Sequence, residues 1–183
     1  VSAAQPAPTP PAPPAPAPAP GFSEWTVELV RESIRAIHER DGVIDAALGI
    51  VEEAIGPAAF LTRRDGVYAV HQAGAAFRAL FGESDLAARP GCNGVFDRGF
   101  AGTDPQAGPS AAGPEPLRPT GGGRMPERAV TIPIPVLGRA VGAIVALCDA
   151  PPETLGAAIP DCRALATAIG EKLLAIIKRK KTG

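Results

Sequence analysis

The stretch Ala129-Val130-Thr131-Ile132-Pro133-Ile134-Pro135-Val136-Leu137-Gly138-Arg139-Ala140-Val141-Gly142-Ala143-Ile144 decides the fold. Two apolar runs, 129–136 and 139–147, meet at Leu137-Gly138, and runs of this length joined by a tight turn are strands of a hairpin. Pro133 and Pro135 lie in the first run at two-residue spacing. Both missing N–H donors therefore fall on one edge, and that side of the strand is expected to be unpaired or bulged. After the hairpin, Leu165, Ile169, Leu173 and Ile176 recur at helical spacing, widened by Ala168 and Ile177. They predict a helix over 160–180, with Pro160 at an allowed first position.

Before the hairpin, Ala58 to Arg63 and Val67 to Gln72 flank Arg64-Asp65-Gly66. Asp-Gly tolerates positive φ at both turn positions, so these runs read as a second antiparallel hairpin. Ala75 to Phe81 reads as a short helix ended by Gly82. Residues 82–127 hold scattered glycines and prolines and read as one long loop. Phe96 and Phe100 pin its first half, and its second half, 103–126, is expected to be mobile.

Two helical patterns precede the strands. Val27, Val30, Ile34 and Ile37 form the first, with Ser23 as its cap, and Asp41-Gly42 is read as its break. Ile44, Leu48, Val51 and Ile55 form the second. The two are in phase when counted in sevens, so one long helix with a coiled-coil-like seam is also compatible with the pattern. Residues 1–21 alternate proline and alanine and are expected to be an extended, disordered linker. The division is thus a linker over 1–21, a linking helix over 22–42 and a domain over 43–181.

The hairpin string, with its PI-x-V run, glycine turn and "VGAI" strand ahead of a terminal helix, resembles the end of a GAF domain. The resemblance covers about 43–180, and its last fifty residues carry it. It implies an α+β fold, a GAF-like antiparallel sheet flanked by N- and C-terminal helices. It also implies a place in a multidomain bacterial regulatory protein, where Pro/Ala-rich linkers are common. The asparagine-to-aspartate-glutamate signature of the family's cyclic-nucleotide binders has no counterpart here. The cysteine-histidine pair of its bilin binders is missing too, since Cys92 is followed by Asn93. No cofactor is carried over.

A net charge of −1 gives no bulk attraction for nucleic acid or an anionic membrane. No run reaches the length of a membrane span. The chain lacks a signal peptide and a starting Met and is expected to be a segment of a longer protein, while its odd number of widely spaced cysteines points to a reducing cytoplasm. Three widely spaced cysteines, Cys92, Cys148 and Cys162, suit neither a disulfide framework nor a zinc site. Cys92 is the best candidate for a reactive thiol. His38 and His71 are the only histidines, on separate elements with no acid partner in register. Gly121-Gly122-Gly123-Arg124 precedes a strand rather than a helix, which rules out a phosphate loop. No catalytic or metal-binding group is read, so the chain is expected not to be an enzyme.

Two functional readings follow. The first is a regulatory module acting by protein–protein contact or self-association, with Val27, Val30, Ile34, Ile37 and Ile44 as a candidate homodimer seam. A partner signalling domain is the other candidate occupant. The second is a small-molecule sensor, with a pocket between the sheet and the 82–127 loop lined by Phe77, Phe81, Phe96 and Phe100.

Overall fold

The computed structural model describes residues 24–82 and 86–182. The linker expected over 1–21 and the cap read at Ser23 lie outside them. In chain order the elements are α1 (Glu24–Arg35), α2 (Arg40–Ala54), β1 (Ala58–Arg64), β2 (Val67–Ala73), α3 (Ala75–Phe81), β3 (Ala87–Ala88), α4 (Gly94–Phe100), β4 (Gln106–Pro109), a 3₁₀ turn (Thr120–Gly122), β5 (Arg128–Val136), β6 (Arg139–Cys148) and α5 (Pro152–Thr182). The strands form one antiparallel sheet in the order β3-β2-β1-β6-β5-β4.

The central strands are apolar on both faces, and this sets three layers. In β1, Ala58 and Phe60 face one core while Ala59 and Leu61 face the other. In β6, Ile144 and Ala146 alternate in the same way with Val145 and Leu147. Period-2 alternation with both sides buried requires cover on both sides. One face is covered by α1, α2 and α5 through Val30, Ile44, Leu48, Leu165 and Ile169. The other is covered by α3, α4 and Leu117 through Phe77, Phe81 and Phe96.

Both predicted hairpins form with primed turns. Asp65 and Gly66 have φ of 50° and 76°, and Leu137 and Gly138 have φ of 52° and 75°. The prolines of β5 act as expected. Pairing with β4 stops at Thr131, before Pro133, and the ladder with β6 shifts register between Ile134 and Pro135.

Four expectations are corrected. The first helix ends at Arg35, and Gly42 lies inside α2 rather than breaking a helix. A Cβ at Gly42 would stand 3.0 Å from the Ile37 methyl, so this glycine admits the chain between the helices. Pro160 is not at a helix start, because α5 begins at Pro152. Pro160 and Gly156, whose carbonyl loses its partner, are both exposed, so water can take the bond.

The third correction concerns residues 82–127, which carry β3, α4 and β4 rather than a loop. Buried Asn93 organises them. Its Oδ1 accepts from Val95 N–H at 3.0 Å, capping α4, and its Nδ2 donates to the Glu115 carbonyl at 2.9 Å. Gly94 N–H donates to Ala112 O, and Glu115 N–H to Cys92 O. The expected mobile half is thereby stitched to α4.

The fourth concerns the seam. Val27, Val30, Ile34 and Ile44 are buried in this chain's own core, and Ile37 packs against it. Lys172 of α5 donates to the Arg35 carbonyl at 2.5 Å, closing the C-terminus of α1. With its stripe covered by α2 and α5, α1 has no free seam to offer a second chain.

Candidate interaction surface

The β5–β6 hairpin has the most exposed large apolar side chains among the described residues. Leu137 at its tip is 79% exposed and Val141, on its return strand, 44%. Ile177, on the last turns of α5, is 43% exposed. Beside them runs a groove of about 770 Å³ between α5, the sheet and the α1–α2 junction. Phe60, Val136, Val141, Leu173, Ile176 and Ile177 form its apolar wall, and the mouth holds His38, Glu39, Arg40, Asp41 and Lys180. A second opening, of about 580 Å³, shares Val141 and is flanked by Arg63, Arg139 and Phe100. Val136 and Gly138, on either side of Leu137, line one opening each.

The strand period places Phe60 and Thr62 on the groove side of β1, and the helical period places Leu173, Ile176 and Ile177 on the groove side of α5. Only the floor of this wall serves the fold. Phe60, Val136, Leu173 and Ile176 are buried, whereas Leu137 is mostly exposed and Val141 and Ile177 leave a little under half of their surface to water.

His71 has acid and base partners that the sequence did not suggest. Its Nε2 lies 3.2 Å from Asp41 Oδ1 and 3.0 Å from the Arg40 guanidinium. Arg40 Nε donates to the same Asp41 oxygen at 2.9 Å. Arg40, then His71, hold the Asp41 carboxyl below its ordinary range. Gln72 adds bonds to the Asp41 carbonyl and to Asp45. These contacts tie the start of α2 to β2 and leave Arg40 and Asp41 neutralised at the mouth of the groove. His38 is exposed, with Nδ1 3.0 Å from an Arg179 nitrogen. The two histidines thus stand in separate contacts.

The four phenylalanines do not line a pocket together. Phe77 and Phe81 pack on each other at 4.6 Å, and Phe96 meets Tyr68 edge-on. All three are buried. Phe100 stacks on Tyr68 at 4.9 Å and edges the smaller opening. The space assigned to a ligand is filled by these rings, because α3 and α4 dock directly on the sheet. Among the cysteines, Cys148 and Cys162 are buried and Cys92 is half-buried. Burial pushes the Cys162 thiol up to about 12. Among the described residues no three His, Cys, Asp or Glu side chains are placed to hold a metal ion.

Sequence reading did not single out Leu137, Val141 and Ile177 as an exposed apolar group. One signal was present: Leu137 occupies a primed-turn position that favours asparagine, aspartate or glycine.

No protein-family model matches the sequence, and neither does any curated protein. Solved structures do match. The GAF domain of A. aeolicus Nlh2 in an inactive state superposes with a TM-score of 0.65 at 15% identity, over 85% of this chain and 94% of that one. The GAF domain of a phosphoenolpyruvate-protein phosphotransferase from Coxiella burnetii gives 0.62 at 15% identity, over 87% and 96%. This chain has a GAF-like fold. The same fold also serves catalysis, since free methionine-R-sulfoxide reductase from Neisseria meningitidis, in complex with its substrate, superposes at 0.65 with 13% identity over 85% and 89%. Among the described residues, no helix of this GAF-like domain is long and apolar enough to cross a membrane.

Proposed function

We propose that this GAF-like domain is a non-catalytic regulatory module that works by protein–protein contact through the β5–β6 hairpin and the adjoining groove. The observation that supports it is the exposure of Leu137, Val141 and Ile177, of which Val141 and Ile177 line an apolar groove and Leu137 follows its wall residue Val136. Clustered exposed apolar residues mark interaction sites, whereas single ones do not. The non-catalytic part rests on the cysteines. Two are buried thiols, and Cys92 sits in a turn held by backbone bonds to Arg89 and Glu115.

A small-molecule reading of the same groove has some support, because its volume falls in the range of ligand sites. Leu137, which lies outside the groove, favours a protein, since a ligand inside would leave it in water. A photo-crosslinking residue at 137, 141 or 177, in cells making the full chain, is expected to give protein adducts. The same residue at 65 supplies the control, on the other primed turn. Absence of adducts above that control at all three positions would overturn the reading.

A further inference from the structure

The two hairpins carry the same turn with different sequences. Asp65-Gly66 and Leu137-Gly138 have nearly equal dihedrals, with the first residue at φ 50° and 52°. Asp suits a left-handed position, because its short polar side chain tolerates it. A bulky apolar residue there is an outlier, and this one is 79% exposed. The fold thus gains neither burial nor backbone comfort from Leu137. The comparison is internal: the same chain, turn type and sheet use a favourable residue at one tip and an unfavourable one at the other.

Next to this projecting side chain lies the hollow lined by Phe60, Val136, Val141 and Ile177. A knob and a hole side by side on one face are what a two-fold symmetric contact requires, since each copy offers both halves. The charges follow the same arrangement. Arg139, two residues past the tip, is exposed, and Glu39, at the mouth of the groove, is exposed too. Among the described residues neither side chain has a hydrogen-bond or ion-pair partner. The other acid at the mouth, Asp41, is already paired with Arg40 and His71. Lys180, the remaining cation there, is exposed and keeps its ammonium in water.

We infer that the occupant of the groove is a second copy of this chain. Leu137 of each copy enters the groove of the other, and Arg139 of one meets Glu39 of the other. The proposal rests on the interaction reading above, and names its partner. It replaces the α1 seam, which this chain buries for itself.

Sedimentation of the full chain up to about 100 µM tests it. The wild type is expected to form dimers. Leu137→Asn is expected to weaken self-association at least about ten-fold, the effect of losing a central apolar anchor. The same change is expected to raise the urea midpoint of the dilute monomer, because asparagine suits the left-handed position. A merely damaged fold would lower that midpoint, so the two readouts separate loss of the contact from loss of structure. Arg139→Glu and Glu39→Arg should each weaken the dimer, and the double exchange should restore it. A wild type that stays monomeric at about 100 µM overturns the proposal. So does a dimer that Leu137→Asn leaves intact. Monomers accompanied by crosslinks from position 137 to a different protein would overturn self-pairing and leave the interaction reading standing. Absence of all crosslinks would remove both.

Discussion

Gly170→Ala offers the sharpest test of how α5 is seated. Helix propensity alone favours alanine over glycine by about 1 kcal/mol inside a helix. The packing predicts the opposite sign. A Cβ at Gly170 would stand 2.1 Å from the Pro135 carbonyl oxygen, a backbone atom of β5 that no rotamer change can move. The helix would have to withdraw by roughly 1.3 Å to reach ordinary contact distance. Ile169, Leu173 and Ile176, buried on the same helix, would be lifted with it. Overpacking of this kind costs about 1–3 kcal/mol, which outweighs the propensity gain. The expected result is a net loss of up to about 2 kcal/mol, seen as a fall in the urea midpoint of up to roughly 1 M at an unchanged slope. Gly156→Ala on the same helix is the control, since nothing lies within 4 Å of its Cβ position. It is expected to gain up to about 1 kcal/mol. Should Gly170→Ala gain stability as Gly156→Ala does, the close seating of α5 on β5 is wrong.

Two further outcomes follow from single side chains. Glu52 of α2 accepts from the N–H groups of Ala58, Ala76 and Phe77 at 3.0–3.2 Å, so it caps α3 and fixes the start of β1 from a third element. Glu52→Ala is expected to cost about 2 kcal/mol in chemical denaturation, because three backbone donors lose their acceptor, and Glu52→Gln, which keeps one oxygen, should cost less. Burial raises the Cys162 thiol from 9.0 to about 12. The unfolded chain therefore loses this proton first as pH rises, and stability that is complete below pH 9 declines toward pH 12, at up to about 1.4 kcal/mol per pH unit. Cys162→Ala should flatten that alkaline slope, measured as the urea midpoint at pH 8 and pH 10.

Local chemistry made much of the fold legible. Asp65-Gly66 announced its turn because few residue pairs tolerate positive φ twice, and Leu137-Gly138 announced its own by a glycine between two apolar runs. Pro133 and Pro135 announced the incomplete pairing of β5 because a missing N–H is a property of the residue itself. The segment 82–127 was misread for the converse reason. Its glycines looked like freedom, but several stand where another segment of the chain passes. A Cβ at Gly113 would meet Gly94 N at 2.7 Å, and one at Gly99 would meet the Ala143 methyl at 2.8 Å. Composition cannot separate a glycine that loosens a loop from one that lets two segments touch. Asn93, which joins those segments, has partners at Val95 and Glu115, and only the nearer is visible as a capping pattern.

The seam shows the same limit at the level of a whole helix. Periodicity states which face of α1 is apolar, and it did so correctly, for Val27, Val30 and Ile34 are buried. It does not state what covers that face. The cover was decided by the break after Arg35 and by Gly42, which makes room for Ile37 so that α1 can lie against α5. With α1 packed on its own domain, and Leu29 of α1 set aside, the large apolar side chains left exposed share no helical or strand periodicity as a group: a turn residue, a strand residue and one from the end of α5. A surface assembled from three elements leaves no pattern in any one of them. What remained in the sequence was a single misfit, a leucine where its twin hairpin has an aspartate. A residue that the fold would not choose for itself is evidence of a demand from outside the fold.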